Sequence, residues 1–317
     1  MNVNNGGIEM KNAMDLLIDK IKQMDNPTVM GLDPRYDMVP ECITSKYEKD
    51  FEGTLKAILE FNKRLIDATY DIIPAVKVNT AFYEMFGFKG MEIFETVCSY
   101  AKEKGMIVIA DAKRGDIGTT AKAYSNAFLG ETPIAGNNAY CMENVDFVTV
   151  NPYLGIDGVK PFIEDCQKYN KGIFVLVKTS NPSSGELQDL KLEDGKTIYA
   201  KVAELVNKWG EELIGEYGYS SVSSVVGATY PEQLKELREI MPHSYFLIPC
   251  YGSKGGKAED IALGFKDGIG WIVNSSRGLM CAYKSDRWKN KFAEEQFEEA
   301  TRAEAIRMRD ELNSAIK

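Results

Sequence analysis

Val108-Ile109-Ala110-Asp111-Ala112-Lys113-Arg114-Gly115-Asp116-Ile117 is an apolar run of β-forming residues that breaks off into alternating acid and base. An extended chain sends alternate side chains to one side, so Asp111 and Lys113 project together, while Asp116 follows on a loop past the strand end. Upstream, Ala75-Val76-Lys77-Val78 places another lysine inside an apolar strand, where an ammonium without an acidic neighbour is costly. A lattice that merely ties strand ends together accounts for one charged residue after a strand. It does not account for a buried lysine in one strand and Asp, Lys, Asp around the next. Charges of this kind gather where chemistry is done. Lys77, Asp111, Lys113 and Asp116 are therefore read as one alternating network.

Outward from that stretch, short apolar runs recur along the chain at residues 28–32, 75–78, 107–110, 147–150, 173–177, 223–227, 245–248 and 271–273. Each is followed by Gly, Pro, Asn or Ser and then by a helical pattern. Strands alternating with helices mean βαβ units and parallel pairing, and eight such units close a (β/α)8 TIM barrel. A doubly wound open sheet is the competing arrangement, but no Gly-x-Gly-x-x-Gly follows the first strand to support dinucleotide binding. Residues 36–71, with an amphipathic run at 51–70, and residues 183–219, with one at 198–213, exceed a minimal barrel unit and read as helical insertions. The Glu-, Ala- and Arg-rich tail, 287–317, is expected to form one or two C-terminal helices outside the barrel. Residues 1–317 are assigned to a single domain.

With 317 residues, 44% of them hydrophobic, the chain can bury a substantial core. A net charge of −9 argues against a broad nucleic-acid or anionic-membrane surface. No apolar run reaches the length of a membrane span and the first seven residues lack the features of a signal peptide, so a cytoplasmic protein is expected. Six cysteines are scattered without a C-x-x-C pair and are expected to be free thiols. His243 is the single histidine, read as a surface loop residue, which removes His-based triads and His-rich metal sites.

In a parallel barrel the carboxyl ends of all strands open on one face, where active sites are built. Asp33, Lys77, Asn79, Asp111, Lys113, Asn151 and residues 178–182 all fall at that end of their strands. After the seventh strand come Pro249, Cys250, Tyr251, Gly252, Ser253, Lys254, Gly255 and Gly256, whose glycine N–H groups can approach an anion closely. After the eighth come Asn274, Ser275, Ser276, Arg277 and Gly278, with an arginine suited to bidentate phosphate contact. Loops in these two places commonly hold phosphate in barrels.

The segment from Asp111 to Gly118, Lys77 in its strand, Thr179-Ser180-Asn181-Pro182, the glycine loop and Arg277 together resemble the orotidine 5'-phosphate decarboxylases, in order from about Gly31 to Gly278. The long insertions resemble the longer, bacterial-type branch. The resemblance implies decarboxylation of orotidine 5'-monophosphate to UMP in de novo pyrimidine biosynthesis, without cofactor or metal. It implies a catalytic array of Lys77, Asp111, Lys113 and Asp116, with Lys113 as proton donor to C6. Asp116, with Ile117 and Thr120, would reach into the neighbouring subunit's site, making a homodimer obligatory for activity. Asp33 and Lys77 would hold ribose hydroxyls, with Asn79 beside the ribose and phosphate. Ser180 would meet the amide edge of the pyrimidine. Pro249, Gly252, Ser276 and Arg277 would line the phosphate end.

The chain departs from the long-branch pattern Pro-Gly-Tyr-Gly-Ala-Gln-Gly-Gly: Cys250, Ser253 and Lys254 stand where Gly, Ala and Gln are usual. Lys254 either makes a direct ionic contact to phosphate, the expectation adopted, or points to solvent. A related Asp-x-Lys-x-x-Asp pattern occurs in metal-dependent sugar-phosphate decarboxylases and aldol enzymes of the same suprafamily, which are the alternative. A Schiff-base aldolase using Lys77 or Lys113 is disfavoured by acids that keep the lysines protonated. A binding-only barrel would gain nothing from a carboxylate set against an anionic ligand.

Overall fold

Each of the eight apolar runs forms a strand in the computed structural model, which describes residues 11–227, 231–249, 258 and 268–316. The strands are β1 (Thr28–Leu32), β2 (Ala75–Val78), β3 (Ile107–Arg114), β4 (Glu131–Ile134), β5 (Asn137–Tyr140), β6 (Phe147–Val150), β7 (Gly172–Lys178), β8 (Ser220–Val226), β9 (Ser244–Ile248) and β10 (Trp271–Ser275). All except β4 and β5 pair in parallel and close into a barrel in the order β1-β2-β3-β6-β7-β8-β9-β10, with β10 returning to β1. The open-sheet alternative is thereby set aside.

Strand alternation sorts the side chains into two cores. Val29, Ala75, Ile107, Ile109, Phe147, Phe174, Tyr245, Leu247 and Ile272 point inward, and helix α1 (Ala13–Met24) seals the amino end of the barrel with Met14, Leu17, Ile18 and Ile21. The opposite set, including Met30, Val76, Val108, Val148 and Val175, packs against the surrounding helices. Continued toward the carboxyl ends, the inward positions change character: Ala75 gives way to Lys77, Ile109 to Asp111, Phe147 to Thr149 and Ile272 to Asn274. The barrel interior is thus lined mainly by apolar side chains below and charged at its mouth.

The first insertion holds helix α2 (Phe51–Thr69), whose first turn is capped by the Asp50 carboxylate accepting the Gly53 N–H at 2.7 Å. The second holds helix α3 (Ile198–Trp209) followed by a short 3-10 turn. The tail forms one long helix, α4 (Phe297–Ile316), docked on α2 through Arg64 with Glu298 at 2.6 Å and the Phe61–Phe297 ring pair at 5.5 Å.

Two features depart from the sequence expectation. The hairpin β4–β5 was not anticipated, because its strands are four residues long, mostly exposed and interrupted by Pro133, and so lack an apolar alternation. Strand β3 runs four residues beyond Ala110, taking Asp111 and Lys113 inside it. The five described cysteines are free, and His243 sits in an exposed turn. Among the described residues no helix is long and apolar enough to cross a membrane.

Candidate active site

Asp111 is the hub of the barrel mouth. Its Oδ2 lies 2.6 Å from Lys77 Nζ, and its Oδ1 lies 2.5 Å from Lys113 Nζ and accepts the Thr149 hydroxyl at 3.0 Å. Asp33 Oδ1 approaches Lys77 Nζ from the β1 side at 3.8 Å. The two lysines differ in access: the Lys77 side chain is 6% exposed and that of Lys113 49%. Lys77 is sealed into the wall, whereas the Lys113 ammonium faces whatever enters. Burial by itself would raise the Asp111 carboxyl, but the two ammonium groups outweigh it and hold the group well below the usual carboxylate range. The hub is anionic at any physiological pH.

Simple alternation does not by itself bring Lys113 onto Asp111. Between the pairs Ala110–Val148 and Arg114–Val150, β3 advances four residues while β6 advances two, so the strand bulges. Lys113 sits in the bulge with φ +48°, a left-handed backbone unusual for a side chain with a Cβ and unfavourable by on the order of 1–3 kcal/mol. Its N–H donates to Thr149 Oγ1 at 2.9 Å. Arg114 closes the bulge from the other side: Nη1 donates to the Ala112 carbonyl at 3.0 Å, Nη2 meets Glu84, and the guanidinium lies 5.7 Å from the Tyr124 ring. The bulge re-aims the Lys113 ammonium at the mouth.

Within one chain the ion pairs join Asp33, Lys77, Asp111 and Lys113, while Asp116, expected to reach the neighbouring subunit's site, stands outside them. The chain leaves the strand after Arg114, and the Asp116 carboxylate accepts the Ile117 N–H at 2.7 Å, with no ion pair to it among the described residues. Ile117 and Thr120 are exposed at the start of helix α5 (Gly118–Phe128). Asn79 follows β2 half-buried, its N–H on the Leu32 carbonyl at 3.2 Å.

Ser180 is half-buried beyond β7, in a segment held by Gln188, which accepts the Thr179 N–H at 2.9 Å, and by the pairing of buried Lys178 with exposed Asp189 at 2.5 Å. Ser276 lies against Gly31 so closely that a Cβ there would stand 2.0 Å from its Oγ, which accounts for glycine in β1. Pro249 follows β9 half-buried, while Gly252 and Lys254 lie outside the described residues. Arg277 is exposed just past the carboxyl end of β10 and lines a cavity of about 500 Å³ with Arg35, Lys284 and Arg287. That cavity is not lined by Lys77, Asp111 or Lys113, so it does not unite Arg277 with the charged hub. Sequence reading missed Thr149, although its place two residues after the inward-facing Phe147 was the available signal.

A closed parallel barrel with a preformed lysine–aspartate–lysine array at the carboxyl ends of its strands defines a (β/α)8-barrel enzyme. The profile of the orotidine 5'-phosphate decarboxylase / HUMPS family matches residues 30–284, and the chain belongs to that family. It is 44% identical over 313 residues to the orotidine 5'-phosphate decarboxylase of Caldicellulosiruptor bescii, covering 97% of this chain and 100% of that one. Against the enzyme of the same name from Clostridium perfringens it is 41% identical over 303 residues, with 95% and 98% covered. The solved structure of Leishmania donovani OMP decarboxylase superposes with a TM-score of 0.70 at 30% identity, over 96% of this chain and 98% of that one.

Proposed function

We propose that this chain, acting as a single barrel domain, decarboxylates orotidine 5'-monophosphate to UMP in pyrimidine biosynthesis, with the lysine–aspartate array as its catalytic device. The observation that carries the reading is one buried carboxylate whose two oxygens are each held by an ammonium, one sealed and one open to the mouth. Loss of CO2 from C6 leaves a vinylic carbanion that the ring does not delocalise. An acceleration of about 10^17-fold corresponds to roughly 23 kcal/mol of differential stabilisation, more than one hydrogen bond supplies.

Asp111, set against the substrate carboxylate, opposes it by like charge, and the repulsion disappears as neutral CO2 departs. Lys113 stabilises the charge developing at C6 and then delivers its proton there. Lys77 keeps Asp111 fixed and reaches, with Asp33, toward the ribose hydroxyls. Asn79 lies beside them, Ser180 meets the pyrimidine edge, and Arg277 with Ser276, Pro249, Gly252 and Lys254 takes the phosphate. The sugar-phosphate alternative places a metal cation on the aspartates; here both oxygens of Asp111 face ammonium groups, which supports the pyrimidine reading.

The same reading makes the enzyme a homodimer, with Asp116 and Thr120 entering the partner's site. Its support is twofold. Asp116 has no ion pair within its own chain among the described residues, and apolar side chains stand exposed next to it and on the 151–158 segment packed against its loop: Ile117 at 53% and Tyr153 at 76%. The deciding measurement is loss of orotidine 5'-monophosphate absorbance, followed with and without excess EDTA. Equal turnover in both is expected. No turnover, or turnover abolished by chelation and restored by a divalent cation, would overturn the proposal.

A further inference from the structure

Thr149 of β6 is 1% exposed, faces the barrel interior, and touches both residues of the proposed chemistry with a single oxygen. Its Oγ1 accepts the Lys113 N–H at 2.9 Å and donates to Asp111 Oδ1 at 3.0 Å. The hydroxyl carries one hydrogen, and an ionised carboxylate has none to offer, so the direction of both bonds is determined. The same oxygen therefore fixes the rotation of the Asp111 carboxylate and anchors the main chain of Lys113, the one residue of β3 held at a positive φ.

We infer that Thr149 is a positioning residue for the decarboxylation: it locks the bulge of β3 so that the Lys113 ammonium and the Asp111 carboxylate keep their relative placement as the substrate carboxylate enters. The inference rests on the proposed roles of Lys113 and Asp111 and extends them to a neighbour that itself meets no substrate atom. A residue of this kind acts on the chemical step more than on binding, because a displacement of about 1 Å at a reacting group can lower a rate about 100-fold while the remaining contacts to ribose, pyrimidine and phosphate persist.

The test compares Thr149→Val, nearly equal in shape but without the hydroxyl, with Thr149→Ser, which keeps it, and with Lys113→Ala, all measured as kcat and KM for orotidine 5'-monophosphate. Thr149→Val is expected to lower kcat by roughly 10- to 100-fold with KM little changed, and Thr149→Ser to recover most of the loss. Should the valine variant not fold, Thr149→Cys against Thr149→Ser makes the same comparison, since a thiol is a weak donor and acceptor of similar size. A valine or cysteine variant with wild-type kcat, beside an inactive Lys113→Ala, overturns the inference and leaves the proposed chemistry standing. An active Lys113→Ala overturns the proposed chemistry, and this inference with it.

Discussion

At the scale of single residues, the asymmetry between the two lysines on Asp111 decides what each substitution does. Lys113 is half exposed, so its ion pair adds little to folding, whereas its ammonium is the proposed source of the C6 proton. Lys113→Ala should therefore lose about 10^4-fold or more in kcat while unfolding in urea within about 1 kcal/mol of the parent. A variant with near-parental turnover would rule out Lys113 as the donor. Asp111 behaves differently. Its folded carboxyl lies below the ordinary value of 3.8, so its ionised form stabilises the fold above that value, and the contribution is lost as pH falls through the carboxylate range and below. Asp111→Asn leaves two ammonium groups facing each other, one of them buried, and should cost about 3 kcal/mol at pH 7. Urea titrations of both proteins from pH 7 to pH 3 should show that gap narrowing with acid. A gap that stays constant across this range would contradict the assigned pairing.

At the scale of elements, what could be read in advance follows from how locally each element is determined. Strands β1, β2 and β6 begin and end where their apolar runs do, because β-branched residues buried on both faces leave no other periodicity to compete. Strand β3 outruns its apolar run because a bulge is a relation between two strands: only the register with β6 shows that pairing resumes at Arg114 beyond the bulged Asp111 to Lys113. The charged residues were legible as a site from their cost in a strand. Thr149 was not, since a threonine in a β run is ordinary until its two partners are known. Arg238 shows the same limit at the opposite end of the barrel. On helix α6 (Pro231–Ile240), it is buried beneath the amino ends of β9 and β10, donating to the carbonyls of Met241 at 3.2 Å, Ser244 at 2.7 Å and Gly270 at 2.8 Å. Its guanidinium lies 3.7 Å from the centre of the Phe246 ring. Arg238→Leu strips these carbonyls of a donor and should lower stability by about 3 kcal/mol, with kcat unchanged because the mouth is at the far end of the strands. A loss below about 1 kcal/mol in urea unfolding would mean that water replaces the guanidinium.

At the scale of the whole molecule, the proposed reaction asks for more than one chain contributes to its own mouth. Within a protomer Lys113 has Asp111 on one side and an open face on the other, while Asp116 stands apart on the loop that follows. Exposed Ile117 and Tyr153 beside that loop are the kind of apolar surface a second copy would cover. In the proposed two-fold dimer each loop would cross to the partner's mouth, so that every active site would draw Lys113 from one chain and Asp116 from the other. Lys113→Ala and Asp116→Ala homodimers then carry two damaged sites each. A heterodimer of the two carries one site with both lesions and one with neither. Random exchange at equal concentrations makes half the dimers mixed, so the mixture should regain about a quarter of the parental activity, and less if exchange is incomplete. Differently tagged variants allow heterodimer formation to be measured by co-purification alongside the assay. Activity that tracks the heterodimer fraction is the expected result. Heterodimers that form in full yet remain as inactive as their parents would place Asp116 outside the shared site and leave each barrel to work alone.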